Sequence, residues 1–183
     1  MNDIISKAGS LKIKLTKPDV NRDAPFALGW FESIHGKQTL LLMGNAENEI
    51  KPPTLEGEKK TLQKFIELEK SNEQLTWMIQ ADNKTIGAVW IELKDTEFVK
   101  SPAVHMMIGD PEYRGQGIGR AIMFEMIKYA KEKLKSSVIY SRHLVSNKPV
   151  TALLDSFSFI NDGKSYIDSN NLEWQNIKLT FDI

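Results

Sequence analysis

The stretch "VHMMIGDPEYRGQGIGRAIM", Val104–Met123, changes its period halfway along. Its first half reads as a strand, Ala103–Asp110, with apolar residues crowded together. After Tyr113 come three glycines in five residues, Gly115, Gly117 and Gly119. Ile118, Ile122, Met126 and Ala130 then recur every fourth residue, which describes one face of a helix. Glycine costs roughly 1 kcal/mol against alanine inside a helix, so three of them at a helix start need a reason. The first amides of a helix have no partner within it, and the helix dipole is positive there. Glycines let a bulky anion approach those amides. The arrangement of strand, Arg114, spaced glycines and long helix therefore reads as a cradle for a phosphate group, most simply a pyrophosphate.

Two other phosphate motifs are set aside. A dinucleotide fingerprint G-x-G-x-x-G needs a small residue where Arg120 stands. "SFINDGKS", residues 158–165, approaches a P-loop, but Ser158 replaces its first glycine and no helix pattern follows. Asp162-Gly163 reads there as a hairpin turn.

Outward from this centre, the chain alternates strands and helices. "LKIKLTK", residues 11–17, alternates apolar and basic residues as a half-buried strand. Asp19 or Asn21 caps a helix bearing Phe26, Leu28, Trp30 and Phe31. Gly36, Gly44, Pro52, Pro53 and Gly57 mark residues 36–60 as a long loop with at most one short element. Residues 58–70 return to helical spacing. Residues 76–93 form two strands about a turn at Asp82-Asn83-Lys84. Residues 137–145 are a strand, 148–157 a short helix with Pro149 in its first turn, and the chain ends as a strand pair.

The 183 residues suit one domain, 1–183, with a sizeable core. Lys+Arg and Asp+Glu are 24 each, so no overall field draws nucleic acid. There is no cysteine, which excludes disulfides, thiolate metal sites and a cysteine nucleophile. The first ten residues lack the features of a signal peptide and no apolar run could cross a bilayer. The expectation is a cytoplasmic protein, monomer or homodimer, with no nucleic-acid or membrane partner.

Arg114, Gly117 and Gly119 match the signature Q/R-x-x-G-x-G/A of the GNAT N-acetyltransferases, and the chain resembles that family over nearly its whole length. Residues 104–123 further resemble its bacterial branch acting on small amines, aminoglycosides or protein N-termini. "NKPVTALLDSFSF", residues 147–159, resembles the family's second motif. The resemblance implies an α/β fold with a mixed, mostly antiparallel sheet of about six to seven strands. About four helices flank it, and its two central strands splay apart. It implies acetyl-CoA as cosubstrate, with the pantetheine arm pairing along Met107, Ile108 and Gly109. The pyrophosphate would lie on the amides of Gly115, Gln116, Gly117, Ile118, Gly119 and Arg120, near Arg114. Asn147 would help hold the arm. Leu154 stands where the family often has a tyrosine acid.

Acetyl transfer to an amine needs a base for the amine proton and no covalent enzyme intermediate. His105 is the first candidate base, since alternation places it with Met107 and Gly109 on one strand face. Glu92 is the second, sharing a face with Ala88 and Trp90. Tyr140, on the strand across the splay, is the candidate acid. His35 and His143 with Asp110 make no recognisable metal set. Residues 18–58 hold seven acids and three bases in a protein neutral overall. That excess predicts a small polycationic acceptor, aminoglycoside-like or polyamine, met by Asp19, Asp23 and Trp30. A non-catalytic acyl-CoA sensor, an acetyltransferase of protein N-termini, and a phosphate-binding module are the alternatives.

Overall fold

The computed structural model describes residues 3–181. Its strands are β1 Ile4–Ala8, β2 Leu11–Thr16, β3 Gln74–Ala81, β4 Lys84–Glu92, β5 Ala103–Ile108, β6 Val138–Leu144, β7 Ile160–Asn161, β8 Tyr166–Ile167 and β9 Glu173–Thr180. The helices are α1 Val20–Phe31, α2 Ile34–Leu42, α3 Leu55–Lys70, α4 Ile118–Glu132 and α5 Lys148–Asp155. All nine strands join one sheet in the order β1-β2-β3-β4-β5-β6-β9-β7, with β8 also on β9. Neighbours are antiparallel except β5 and β6, which run parallel.

Alternating side chains put a separate core on each face of this sheet. Ile118, Ile122, Met126 and Ala130 of α4 are all buried, against Ile79, Val89, Val104 and Ile139. The opposite face packs α1 and α3, through Ala24, Ala27, Trp30 and Leu62, against Met78, Ala88 and Met107. The β3–β4 hairpin turns on Asp82 and Asn83, both at positive φ, as a two-residue turn requires. Among the described residues no helix is long and apolar enough to cross a membrane.

Three readings of the sequence change. Residues 34–42 form a helix rather than loop, capped by Ser33, whose hydroxyl accepts from the Gly36 amide. The Asp162-Gly163 pair is not a hairpin turn: β7 and β8 both pair with β9 in the same sense, so it interrupts a single edge strand. The true reversal is at Asp168–Asn171, where the Asp168 amide donates to the Leu172 carbonyl. The third is β1, which the sequence reading passed over. These elements account for a wider sheet, and one more helix, than the resemblance implies.

Candidate active site

β5 and β6 part company almost as soon as they meet. Ala103 and Tyr140 are their one registered pair. The Tyr140 amide donates to the Pro102 carbonyl at 2.8 Å, and the Ser141 hydroxyl to the Val104 carbonyl at 2.7 Å. Beyond that point the strands diverge around a cleft of about 500 Å³. The carbonyls of Pro102 and Val104 face β6, so the two-residue period aims the backbone of Met106 into the gap as well. This sets Met106 among the backbone positions open to a ligand strand, and not Met107, whose backbone faces β4.

The glycine loop lies past the far end of β5. Gly115 and Gly117 have φ of 73° and 78°, the left-handed region that favours glycine, and a Cβ there would meet nothing. Gly117 caps α4 with no side chain involved. Among the described residues, the amides of residues 115–120 find no backbone acceptor; the first bond of the helix is from the Ala121 amide to the Gly117 carbonyl. Gly119 is helical and faces the gap, where a methyl would sit at ordinary distance, 3.5 Å, from Leu153. These free, positively polarised amides fit a pyrophosphate.

The other residues expected there serve as supports. Arg114 donates to the Ile108 and Gly109 carbonyls at 2.9 and 3.0 Å and to the Thr39 hydroxyl at 2.8 Å, so it ties the end of β5 to α2. Gln116 donates to the Glu112 carbonyl, and Arg120 to the Ser156 hydroxyl. Gly109 lies flat against the Trp30 ring. Asn147 caps α5 and donates to the Leu42 carbonyl, 3.2 Å, while also lining the cleft.

The two candidate bases come together. His105 pairs with Trp90 in register, and Glu92 with Ala103, so both project from the α1–α3 face. Their Nε2 and Oε2 atoms are 3.6 Å apart. The His105 ring stacks on Trp90, 5.6 Å between centroids, and Trp90 stacks on Phe65 at 6.2 Å. Nε2 of His105 is buried without a hydrogen-bond partner. Burial pushes the Glu92 carboxyl up, but His105 and the more distant Arg142 charge outweigh it and hold Glu92 below its ordinary value.

The remaining expected site residues lie elsewhere or serve the fold. Tyr140 sits where the strands still pair, with Lys100 over its ring at 5.8 Å, and does not line the cleft. Asp23 does not face an acceptor: it is fully buried. One oxygen accepts from Thr85 and Arg22 at 2.8 Å each, and the other from Arg22 and the Asp19 amide. Asp19 is consumed as the cap of α1, accepting from the Asn21 and Arg22 amides. Trp30 is buried core. Glu47 pairs with Lys37 at 2.7 Å. The acid excess of residues 18–58 therefore does not line the cleft; its acids are Glu92 and Glu97. Sequence reading missed Arg142, Phe98 and Trp174, which wall the cleft and belong to no motif.

Free helix amides beyond a splayed parallel pair, with a carboxylate–imidazole pair inside the splay, form a candidate acyl-transfer site on a mixed sheet. The sequence pattern of the Acetyltransferase (GNAT) family matches residues 43–159, well over half of the chain. The protein belongs to that family and is an acyltransferase. No curated protein matches it in sequence. Among solved structures, it is similar to Mycobacterium smegmatis RimJ in complex with CoA-disulfide, at 13% identity and TM-score 0.80, over 97% of this chain and 86% of that one. It is also similar to the ribosomal-protein-S5-alanine acetyltransferase of Vibrio fischeri, at 21% identity and TM-score 0.73, over 98% of each chain. A third is the spermidine N-acetyltransferase of Vibrio cholerae, in complex with CoA and spermine, at 15% identity and TM-score 0.69, over 92% and 95%.

Proposed function

We propose that the protein transfers the acetyl group of acetyl-CoA directly to a primary amine, which enters the splay from the face covered by α1 and α3. The observation that carries this is the Glu92–His105 pair, 3.6 Å apart inside the gap whose other end carries the free amides of α4. Acetyl-CoA supplies the thioester, and its thiolate is a fair leaving group, since a thiol has a pKa near 8.5. The amides of residues 115–120 hold its pyrophosphate, and Met106 offers backbone groups along the arm. The amine nitrogen bonds to the acetyl carbon, the carbon–sulfur bond breaks, and the thiolate takes a proton from solvent. The amine's own proton passes to the Glu92–His105 pair, directly or through water. Glu92 then faces the positive charge that proton uptake creates on the imidazole. Among the described residues no tyrosine lines the cleft, and Leu154 is buried apolar, so the thiolate leaves without a tyrosine acid.

Support for a polycationic acceptor is withdrawn with Asp19, Asp23 and Glu47, whose charges are engaged elsewhere. A small amine is the acceptor class the 500 Å³ cleft suits. The test separates cosubstrate from chemistry. Gly119→Ala should fold and bind acetyl-CoA by isothermal titration, since its methyl meets only ordinary contacts. Gly119→Glu should abolish binding by placing a carboxylate at the cradle. Unchanged affinity in a folded Gly119→Glu variant, or no thiol release with any primary amine, rejects the proposal.

A further inference from the structure

Across the gap from His105 stands Arg142. Ala103 is in register with Tyr140, and side chains alternate on both strands, so His105 and Arg142, each two residues on, share one face of the sheet. Both line the same cleft, with Glu92. The Arg142 guanidinium carbon lies 4.6 Å from the Phe98 ring centroid and 4.3 Å from that of Trp174. Trp174 is itself fixed: its Nε1 donates to Asp168 at 2.8 Å, and its ring fills the space beside Gly44.

A guanidinium has five N–H donors. Among the described residues, Arg142 has one acceptor, the Tyr166 hydroxyl, at 3.1 Å from Nη1. Among the described residues no carboxylate comes within 4.0 Å of it, although Glu92 and Asp168 lie close enough to feel its charge. Beside it, Asn176 is in register with Arg142; its Nδ2 donates to the Phe98 carbonyl, while its Oδ1 is buried without a partner. The aromatic rings thus restrict the fork without neutralising it. Stacking restrains the guanidinium but leaves four of its five donors without an acceptor among the described residues. A restrained fork with open donors is matched in shape and charge by a carboxylate or phosphate, bound through two parallel hydrogen bonds.

We propose that the acceptor is an amine that also carries an oxyanion, seated on Arg142 while its nitrogen reaches the Glu92–His105 pair. This rests on the acyl-transfer reading and names its substrate class. Leu42, Met43, Phe98 and Trp174 give the same cleft an apolar wall, which accommodates an apolar substituent between the two charges.

Matched acceptors test the idea: leucine and methionine against their carboxamides, and phosphoethanolamine against ethanolamine, each assayed by thiol release at saturating acetyl-CoA. At least one oxyanion member should exceed its uncharged partner in kcat/KM by about 10- to 100-fold, the range for hydrogen bonds to a charged group. Whichever pair shows the preference tells carboxylate from phosphate. In Arg142→Gln that ratio should collapse towards one, mainly through KM, and Arg142→Lys should restore part of it. Equal or better use of the uncharged partners by the wild-type protein overturns the proposal, and so does an equal loss for both members in Arg142→Gln. Should Arg142→Gln fail to fold, the wild-type ratios and Arg142→Lys decide. Titration of leucine and phosphoethanolamine into the protein with coenzyme A needs no turnover. If neither binds, the oxyanion site is wrong; if one binds and no amine releases thiol, the acyl-transfer reading fails instead.

Discussion

Asp23 and Glu92 are both carboxylates on the α1–α3 side of the sheet, and they have opposite fates. Asp23 is wholly enclosed and all its bonds are internal, so it fixes the start of α1 against β4. Glu92 is half-buried and, among the described residues, has only His105 within ion-pair reach. If the pair accepts the proton as a unit, the losses on removing its members should not add. His105→Ala and Glu92→Ala should each lower turnover by roughly 10²–10⁴-fold. The double variant should be little worse than the weaker single one, with acetyl-CoA affinity retained in all three. Additive losses, or no loss from His105→Ala, would break up the pair. Because the folded Glu92 carboxyl is held below its ordinary value, its contribution to stability is complete above the ordinary carboxylate range. It is lost as pH falls through the lowered value. Strand alternation assigned His105 and Glu92 to strand faces as alternative candidates, while their approach to 3.6 Å needed the register of β4 on β5. It could not reveal Asp23's burial, because a count of charges treats every acid as solvated. Arg142 was illegible for another reason: its meaning comes from Phe98 and Trp174, which lie 44 and 32 positions away and meet it only in the folded sheet.

At the scale of elements, helices with a clear apolar face were readable and the one without was not. α4 shows its stripe and its glycine start. α2 carries Gly36, which the sequence presents as a loop marker. In the fold that glycine is buried, and a Cβ on it would run into the backbone at the end of α1. It therefore serves close packing rather than a turn. Gly44, two residues past α2, does serve a turn, at φ 91°, and a Cβ there would enter the Trp174 ring. Gly44→Ala should cost about 1–3 kcal/mol, the scale of a residue held in a rarely populated backbone region. It should also displace the indole from Asp168. Thermal unfolding and tryptophan fluorescence check both effects. Unchanged fluorescence would mean that Trp174 does not depend on the space Gly44 leaves. The broken edge strand β7–β8 was misread because its interruption, Asp162-Gly163, has the composition of a turn. Asp162 there is held by Lys178 and Lys100 instead.

For the whole molecule, the neutral net charge gives no reason to expect a nucleic-acid partner, yet it invited a regional sum over residues 18–58 that the fold does not honour. The overall architecture was readable because glycine loop, helix and flanking strands follow one another in sequence. The width of the sheet was not, since short edge strands such as β1 and β8 carry little pattern of their own. A sheet stitched across its middle by one registered pair is, mechanically, two leaves on a short spine. Exposed strand edges usually lie at a sheet's rim, where they invite other chains. Here the unlaced seam is internal, sheltered by α4 and α5, and only a slender extended ligand can complete it. Such a ligand acts as the absent rung of a ladder, stiffening the whole sheet as well as occupying a site. Coenzyme A at 100 times its dissociation constant should stabilise the fold by about 2.7 kcal/mol, a rise in Tm of about 5–10 °C for a chain of this size. Hydrogen exchange should slow at Met106 and along β6, beyond the amides of residues 115–120. If protection stays confined to residues 115–120, the leaves are already rigid and the seam is only a slot.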